Sequence, residues 1–136
     1  SPWQIFSVHP LLFRAQVYLE EGDLSAALLD FRRCLRVALG EQPAMSFMIF
    51  RCMAGIAEIV RRRGDLSSAA TLYAKAAALE ADWRTAPEYS QPHMMEFYNR
   101  LMDCVPEYRQ DPEFEAGWQE GCKLTSEDAV QLALTW

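Results

Sequence analysis

Between Met45 and Val60 only Ser46, Arg51 and Glu58 are clearly polar. A helix with that pattern is apolar around nearly its whole circumference, so the spacing predicts a helix through the middle of a bundle. The next predicted helix, from about Ser67 to Ala81, is rich in alanine, which favours helix formation and lets neighbouring backbones approach. Gly64 stands between the two at a place that suits the left-handed conformation just past a helix end, and Asp65 is a good N-cap for the second of them. The same punctuation, Gly22 then Asp23, divides an earlier pair of apolar-patterned stretches.

The two corners belong to a longer repetition. At an offset of 42 residues, Ala15–Ala38 and Ala57–Glu80 share six identities in 24 positions: Ala15/Ala57, Gly22/Gly64, Asp23/Asp65, Leu24/Leu66, Ser25/Ser67 and Ala27/Ala69. Phe31 meets Tyr73, Tyr18 meets Val60 and Leu11 meets Met53, so large and small residues recur at the same places. Periods of this length signal repeat architecture, here two helical hairpins at about residues 9–39 and 45–81. The alanines let two backbones come close while Phe31 or Tyr73 fills the space one turn further on.

Beyond Ala81 the phrase DWRTAPEYSQP interrupts the helical pattern, because Pro87 and Pro92 do not fit a helix interior. Pro92 suits the first turn of a helix that runs to about Val105 and is stopped by Pro106. Asp111 caps the next helix, with Pro112 in its first turn and Gly121 at its end. Thr125 with Asp128 makes a capping-box-like start before AVQLAL. The pattern predicts about seven helices and no strand.

Composition narrows the class of protein. With 136 residues, the chain is long enough to bury roughly two-thirds of its unfolded surface as a single domain without metal or disulfide. No apolar run approaches a bilayer span. A net charge of −6 and a pI near 4.9 argue against direct nucleic acid binding by this chain. Cys34, Cys52, Cys104 and Cys122 are widely spaced, with no zinc-ligand pattern, which points to reduced thiols in a cytoplasmic setting and, for Cys34 and Cys52, to core packing. The opening Ser-Pro-Trp, without methionine or a basic flank before an apolar stretch, reads as the start of a piece of a longer protein without a signal peptide.

The small residue on the first helix, the facing alanine on the second and the aromatic four positions later resemble the tetratricopeptide repeat, over about residues 9–81. The period is longer than the usual length of about 34, and no proline closes the unit. From Phe114 to Leu134 the chain resembles the end of the tetratricopeptide-like region of large bacterial ATP-dependent transcriptional regulators of the LuxR and maltose-regulator type, and of related signalling ATPases. The residues that carry this likeness are Phe114, Gly117, Trp118, Gly121, Leu124, Thr125, Ala129, Val130, Ala133 and Leu134. The resemblance implies an all-α fold, a right-handed stack of antiparallel hairpins closed by C-terminal helices and a cap over about residues 91–136. It also implies a nucleotide-binding switch domain before these repeats and often a helix-turn-helix after them. Neither a phosphate loop nor a helix-turn-helix is present here.

The candidate binding residues are few. Arg51, Gly55, Glu58 and Arg62 recur at spacings of four, three and four, on one stripe of the central helix. In a tetratricopeptide register this stripe lines the concave face, beside His9, Phe13, Gln16 and Glu20 of the first hairpin. Arginine there offers a planar fork for a peptide carboxylate or a small anionic signal. The alternative is a structural stripe in which Glu58 and Arg62 simply pair at i, i+4. Arg61, Arg62 and Arg63 end a helix where positive charge suits its dipole. His93 beside Met94 and Met95 has soft-ligand chemistry, but adjacent helical residues diverge, so packing is the simpler reading. With no triad, HExxH or glycine-rich loop, and only His9 and His93 available, the expectation is no enzyme activity and no cofactor or metal. The expected role is a protein-interaction or self-association module of a signal-transduction or transcription-regulation protein, the alternative an effector-sensing domain that uses the concave stripe.

Overall fold

The computed structural model describes residues 2–41, 44–85 and 95–136, with side chains from residue 10 onward. Its helical segments are α1 (Pro2–Glu21), α2 (Leu24–Gly40), α3 (Ser46–Arg62), α4 (Leu66–Arg84), α5 (Glu96–Asp103), α6 (Val105–Tyr108), α7 (Pro112–Lys123) and α8 (Ser126–Thr135). Since α6 is a single turn, seven are helices of about two turns or more, and no strand occurs among the described residues. The protein is all-α.

The two corners are built alike, bond for bond. Gly22 and Gly64 have φ of 83° and 95°, and no other described residue has positive φ. Asp23 N–H donates to Tyr18 O at 2.9 Å and Asp65 N–H to Val60 O at 3.2 Å, which is the C-terminal helix closure that a left-handed glycine makes possible. The Asp23 carboxylate accepts from Ala26 N–H at 3.2 Å, and that of Asp65 from Ser68 N–H at 3.1 Å. Asp111 and Thr125 cap α7 and α8 in the same manner.

Each helix packs on the next through α4, and α7 then packs on α4. Ala15, Ala27, Ala57 and Ala69 are fully buried, as are Phe31, Tyr73, Cys34 and Cys52. The gap that receives Phe31 is Gly55: a Cβ added there would stand 2.5 Å from the Phe31 ring. Arg14 ties α1 to α2 through a two-pronged pair with the buried Asp30, at 2.7 and 2.9 Å.

Some boundaries differ from the sequence pattern. α1 begins at Pro2, with Pro10 inside it. Pro106 sits in the first turn of α6 rather than stopping the helix before it, which ends at Asp103. Pro87, Pro92, His93 and Met94 lie outside the described residues. Gly121 does not end α7, which continues to Lys123. Gly117 and Gly121 instead allow backbone contact with α4, where added Cβ atoms would meet Ser67 O at 2.4 Å and Thr71 O at 2.7 Å. Because Ser67 and Thr71 rise with Gly117 and Gly121, the two helices run parallel. The Thr71 hydroxyl lies within hydrogen-bond reach of Ser67 O at 3.0 Å and Gly117 O at 3.1 Å.

The C-terminal helix is clamped at its far end. Arg32 Nε donates to Ala133 O at 3.0 Å, and the Trp136 indole N–H donates to the Asp65 carboxylate at 2.8 Å. Ala129, Val130 and Ala133 face the core, with Leu132 and Leu134 packed beside it. Phe114 is buried against Tyr73, whereas Trp118 is half-buried beneath the Arg109 guanidinium, 4.6 Å from its ring centre.

Candidate functional site

The apolar pattern that puts α3 in the middle of the bundle also brings Arg51 and Glu58 inside. Glu58 is 3% exposed. Arg61 approaches its carboxylate with both prongs of the guanidinium, at 3.0 and 2.8 Å, and Arg62 Nε donates to it at 2.8 Å. The Tyr73 hydroxyl of α4 donates at 2.7 Å and that of Tyr108 on α6 at 3.4 Å. Arg61 also lies over the Tyr108 ring, 4.2 Å from its centre. A buried carboxylate is tolerated because its lone pairs are taken by charged and neutral donors from three helices. The i, i+4 pair of Glu58 and Arg62 is present as the structural alternative predicts, but as one arm of a larger hub.

The hub sets the direction of each titration. Burial pushes the Glu58 carboxyl up, but hydrogen bonds from Arg61, Tyr73 and Arg62 outweigh it and leave it below the ordinary carboxylate value. Burial and the Glu58 charge raise the Tyr73 phenol well above its ordinary value, and raise that of Tyr108 to about 12. A lowered carboxyl contributes stability that is present above its unfolded value of 4.5 and is lost as pH falls below it. A raised phenol contributes stability that is complete below its unfolded value of 10 and is lost as pH climbs towards 12. The urea midpoint is therefore expected to be flat between about pH 6 and pH 9 and to fall on both sides. In Tyr108→Phe the alkaline fall should be shallower, because one raised phenol is gone while that of Tyr73 remains, and an unchanged alkaline limb would contradict the assignment.

Arg51 is a different case. It is 7% exposed, its Nη1 approaches Met48 Sδ at 3.8 Å, and its guanidinium stands 5.8 Å from the centre of the Phe47 ring. Its Nε is buried without a hydrogen-bond partner. Burial holds its pKa below the ordinary guanidinium value.

The stripe does not line an open groove. α5 lies on α3, with Phe97 stacked on Phe31 at 6.0 Å and Tyr98 edge-on to Phe50 at 5.1 Å. Arg100 reaches across to Glu20 of α1 at 2.9 Å, and Arg62 Nη1 donates to Leu19 O at 3.2 Å. A recess of about 160 Å³ remains between Arg62, Glu20, Phe97 and Arg100. Of the residues expected on the first hairpin, Phe13 is 69% exposed and Gln16 half-buried, and the side chain of His9 lies outside the described residues. The structure thus brings Glu58 and Arg62 together as partners, encloses Arg51 among apolar side chains, and leaves Phe13 on the surface of α1.

No family model, curated protein or solved structure matches the chain. What the arrangement does rests on its own geometry. Glu58 has a depressed pKa and is surrounded by donors, the opposite of a carboxyl poised to transfer a proton near neutrality. Tyr73 and Tyr108 are held as phenols. Sequence reasoning missed both tyrosines, since Tyr108 is 50 positions from Glu58. It also missed Gly117 and Gly121 as contact residues, although their spacing of four was a signal that two helices approach closely. Among the described residues, no group of three or more His, Cys, Asp or Glu side chains could hold a metal ion, and no helix is long and apolar enough to cross a membrane.

Proposed function

We propose that this chain is a non-catalytic, tetratricopeptide-like interaction module, part of a larger bacterial signalling ATPase or transcription regulator in the cytoplasm, which binds a protein partner or associates with itself. The observation that carries the reading is that the polar stripe of the central helix is spent on internal support. Glu58 and Arg62 hold α1, α3, α4 and α6 together, and α5 lies over the side on which a ligand would enter. Phe13 and Leu29 are exposed large apolar side chains, and such features favour recognition of another polypeptide. Light scattering on the 136-residue chain over a concentration series, together with binding to synthetic segments of the flanking protein, tests it. A chain that stays monomeric and inert towards every flanking segment overturns it.

Arg51 favours a second reading, in which a small anion is sensed, because a buried donor without a partner is a place where a ligand oxygen would be welcome. A thermal-shift screen of small anions separates the two. A shift abolished in Arg51→Lys, with the variant still folded, supports sensing, and the absence of any shift supports the interaction module.

A further inference from the structure

At the end of the bundle away from the glycine corners, the described residues leave part of the core uncovered. Leu39 at the end of α2, Ile49 in the first turn of α3, Leu79 late in α4 and Val130 of α8 form the floor of an open groove of about 460 Å³. That volume lies within the range of roughly 300–1,000 Å³ common for binding clefts. Glu127 and Asp128 stand at its mouth, both exposed and neither in an ion pair among the described residues. The arginines that touch α8 and the chain end, Arg32 and Arg63, engage Ala133 and Trp136 at the opposite end of that helix. The mouth is therefore negative over an apolar floor. Carboxylates in the first turn suit the helix dipole, which explains their sign but not the uncovered side chains beneath them.

We infer that this groove docks a basic peptide segment, one that inserts bulky apolar side chains between Leu39, Ile49, Leu79 and Val130 and sets flanking lysines or arginines against Glu127 and Asp128. Charge complementarity selects this occupant. The mouth offers two unpaired carboxylates, and the net charge of −6 steers cationic segments towards it. A second copy of the chain would bring the same net negative charge, which opposes association. The inference rests on the interaction-module reading and names the surface and the partner chemistry for it.

The test is a titration of the isotopically labelled 136-residue chain with three capped octapeptides centred on Lys-Leu-Leu-Lys, Glu-Leu-Leu-Glu and Lys-Ser-Ser-Lys, monitored by amide chemical shifts. Saturable shifts at Leu39, Ile49, Leu79 and Val130 are expected with the first peptide alone. Affinity should fall about tenfold in the Glu127→Gln/Asp128→Asn variant and weaken with added salt. The variant leaves the apolar floor and the Thr125 cap in place, so a retained wild-type spectrum shows that it is folded. Equal binding of the acidic peptide, or wild-type affinity in the variant, overturns the charge argument. Saturable shifts on another face overturn the groove but leave the module reading standing. Groove shifts that track protein concentration alone overturn the basic occupant in favour of self-association. No binding by any peptide also sinks the groove, while the module reading then depends on light scattering and on binding to the flanking segments.

Discussion

Glu58→Ala is expected to cost about 3–5 kcal/mol of stability, because it leaves Arg61 and the Tyr73 hydroxyl without their acceptor at the centre of the fold and Arg62 with Leu19 O alone. At roughly 3 °C per kcal/mol for a chain of this size, the melting temperature should fall by about 10 °C. Tyr73→Phe removes a single donor to a charged acceptor and should cost less, about 1.5–3 kcal/mol. The ordering distinguishes a hub from a set of exposed pairs. Arg61 and Arg62 are each partly exposed, and if their pairs with Glu58 behaved as surface salt bridges they would contribute about 0–1 kcal/mol in total effect. A loss below about 1 kcal/mol in Glu58→Ala, measured by urea unfolding at pH 7, would show that water reaches the carboxylate and that α3 is less enclosed than its burial indicates.

Gly117→Ala and Gly121→Ala are expected to destabilise by about 2 kcal/mol or more each, although alanine is the better helix former by about 1 kcal/mol. The sign is decided by what the new methyl meets. At Gly117 it would stand 2.4 Å from Ser67 O and 2.8 Å from Ser67 Cα, and at Gly121 2.7 Å from Thr71 O, so backbone rather than a flexible side chain has to yield. Moving α7 outward would also stretch the contact between Thr71 Oγ1 and Gly117 O and loosen Phe114 from Tyr73. Gly40→Ala is the control, since an added Cβ there meets nothing within 4 Å. That variant should be neutral or slightly stabilising under the same unfolding assay. Parallel behaviour of all three would mean that α7 does not press on α4 as closely as the structure has it.

The contrast between these glycines shows what could be read from the sequence. Gly22 and Gly64 were legible because a left-handed glycine followed by an aspartate cap is a local device, complete within about six residues and repeated at an offset of 42. The burial of α3 was legible from its nearly continuous apolar circumference. In the sequence Gly121 reads as a helix end and Gly117 carries no contact: their spacing of four signals a close approach, but the neighbours themselves, Thr71 and Ser67, lie 50 positions away and nothing local names them. The Glu58 hub was half visible: the i, i+4 partner Arg62 is local, whereas Tyr73 and Tyr108 arrive through tertiary packing. The pattern of α3 marks Arg51, Glu58 and Arg62 as its polar positions but does not reveal that α5 lies over that helix. The groove above Leu39 and Val130 left no sequence signal at all, because its floor is assembled from four different helices.

The central claim is that α3 is enclosed from Phe50 to Val60, so that Arg51 and Glu58 are held inside the fold. The four native cysteines test it directly. Cys52 on α3 and Cys34 on α2 are buried, whereas Cys104 and Cys122 are exposed. Reaction of the folded chain with a bulky aromatic disulfide reagent should therefore label two thiols rapidly, with the other two reacting only at the rate of global unfolding. Rapid labelling of Cys34 or Cys52 without unfolding would contradict the account.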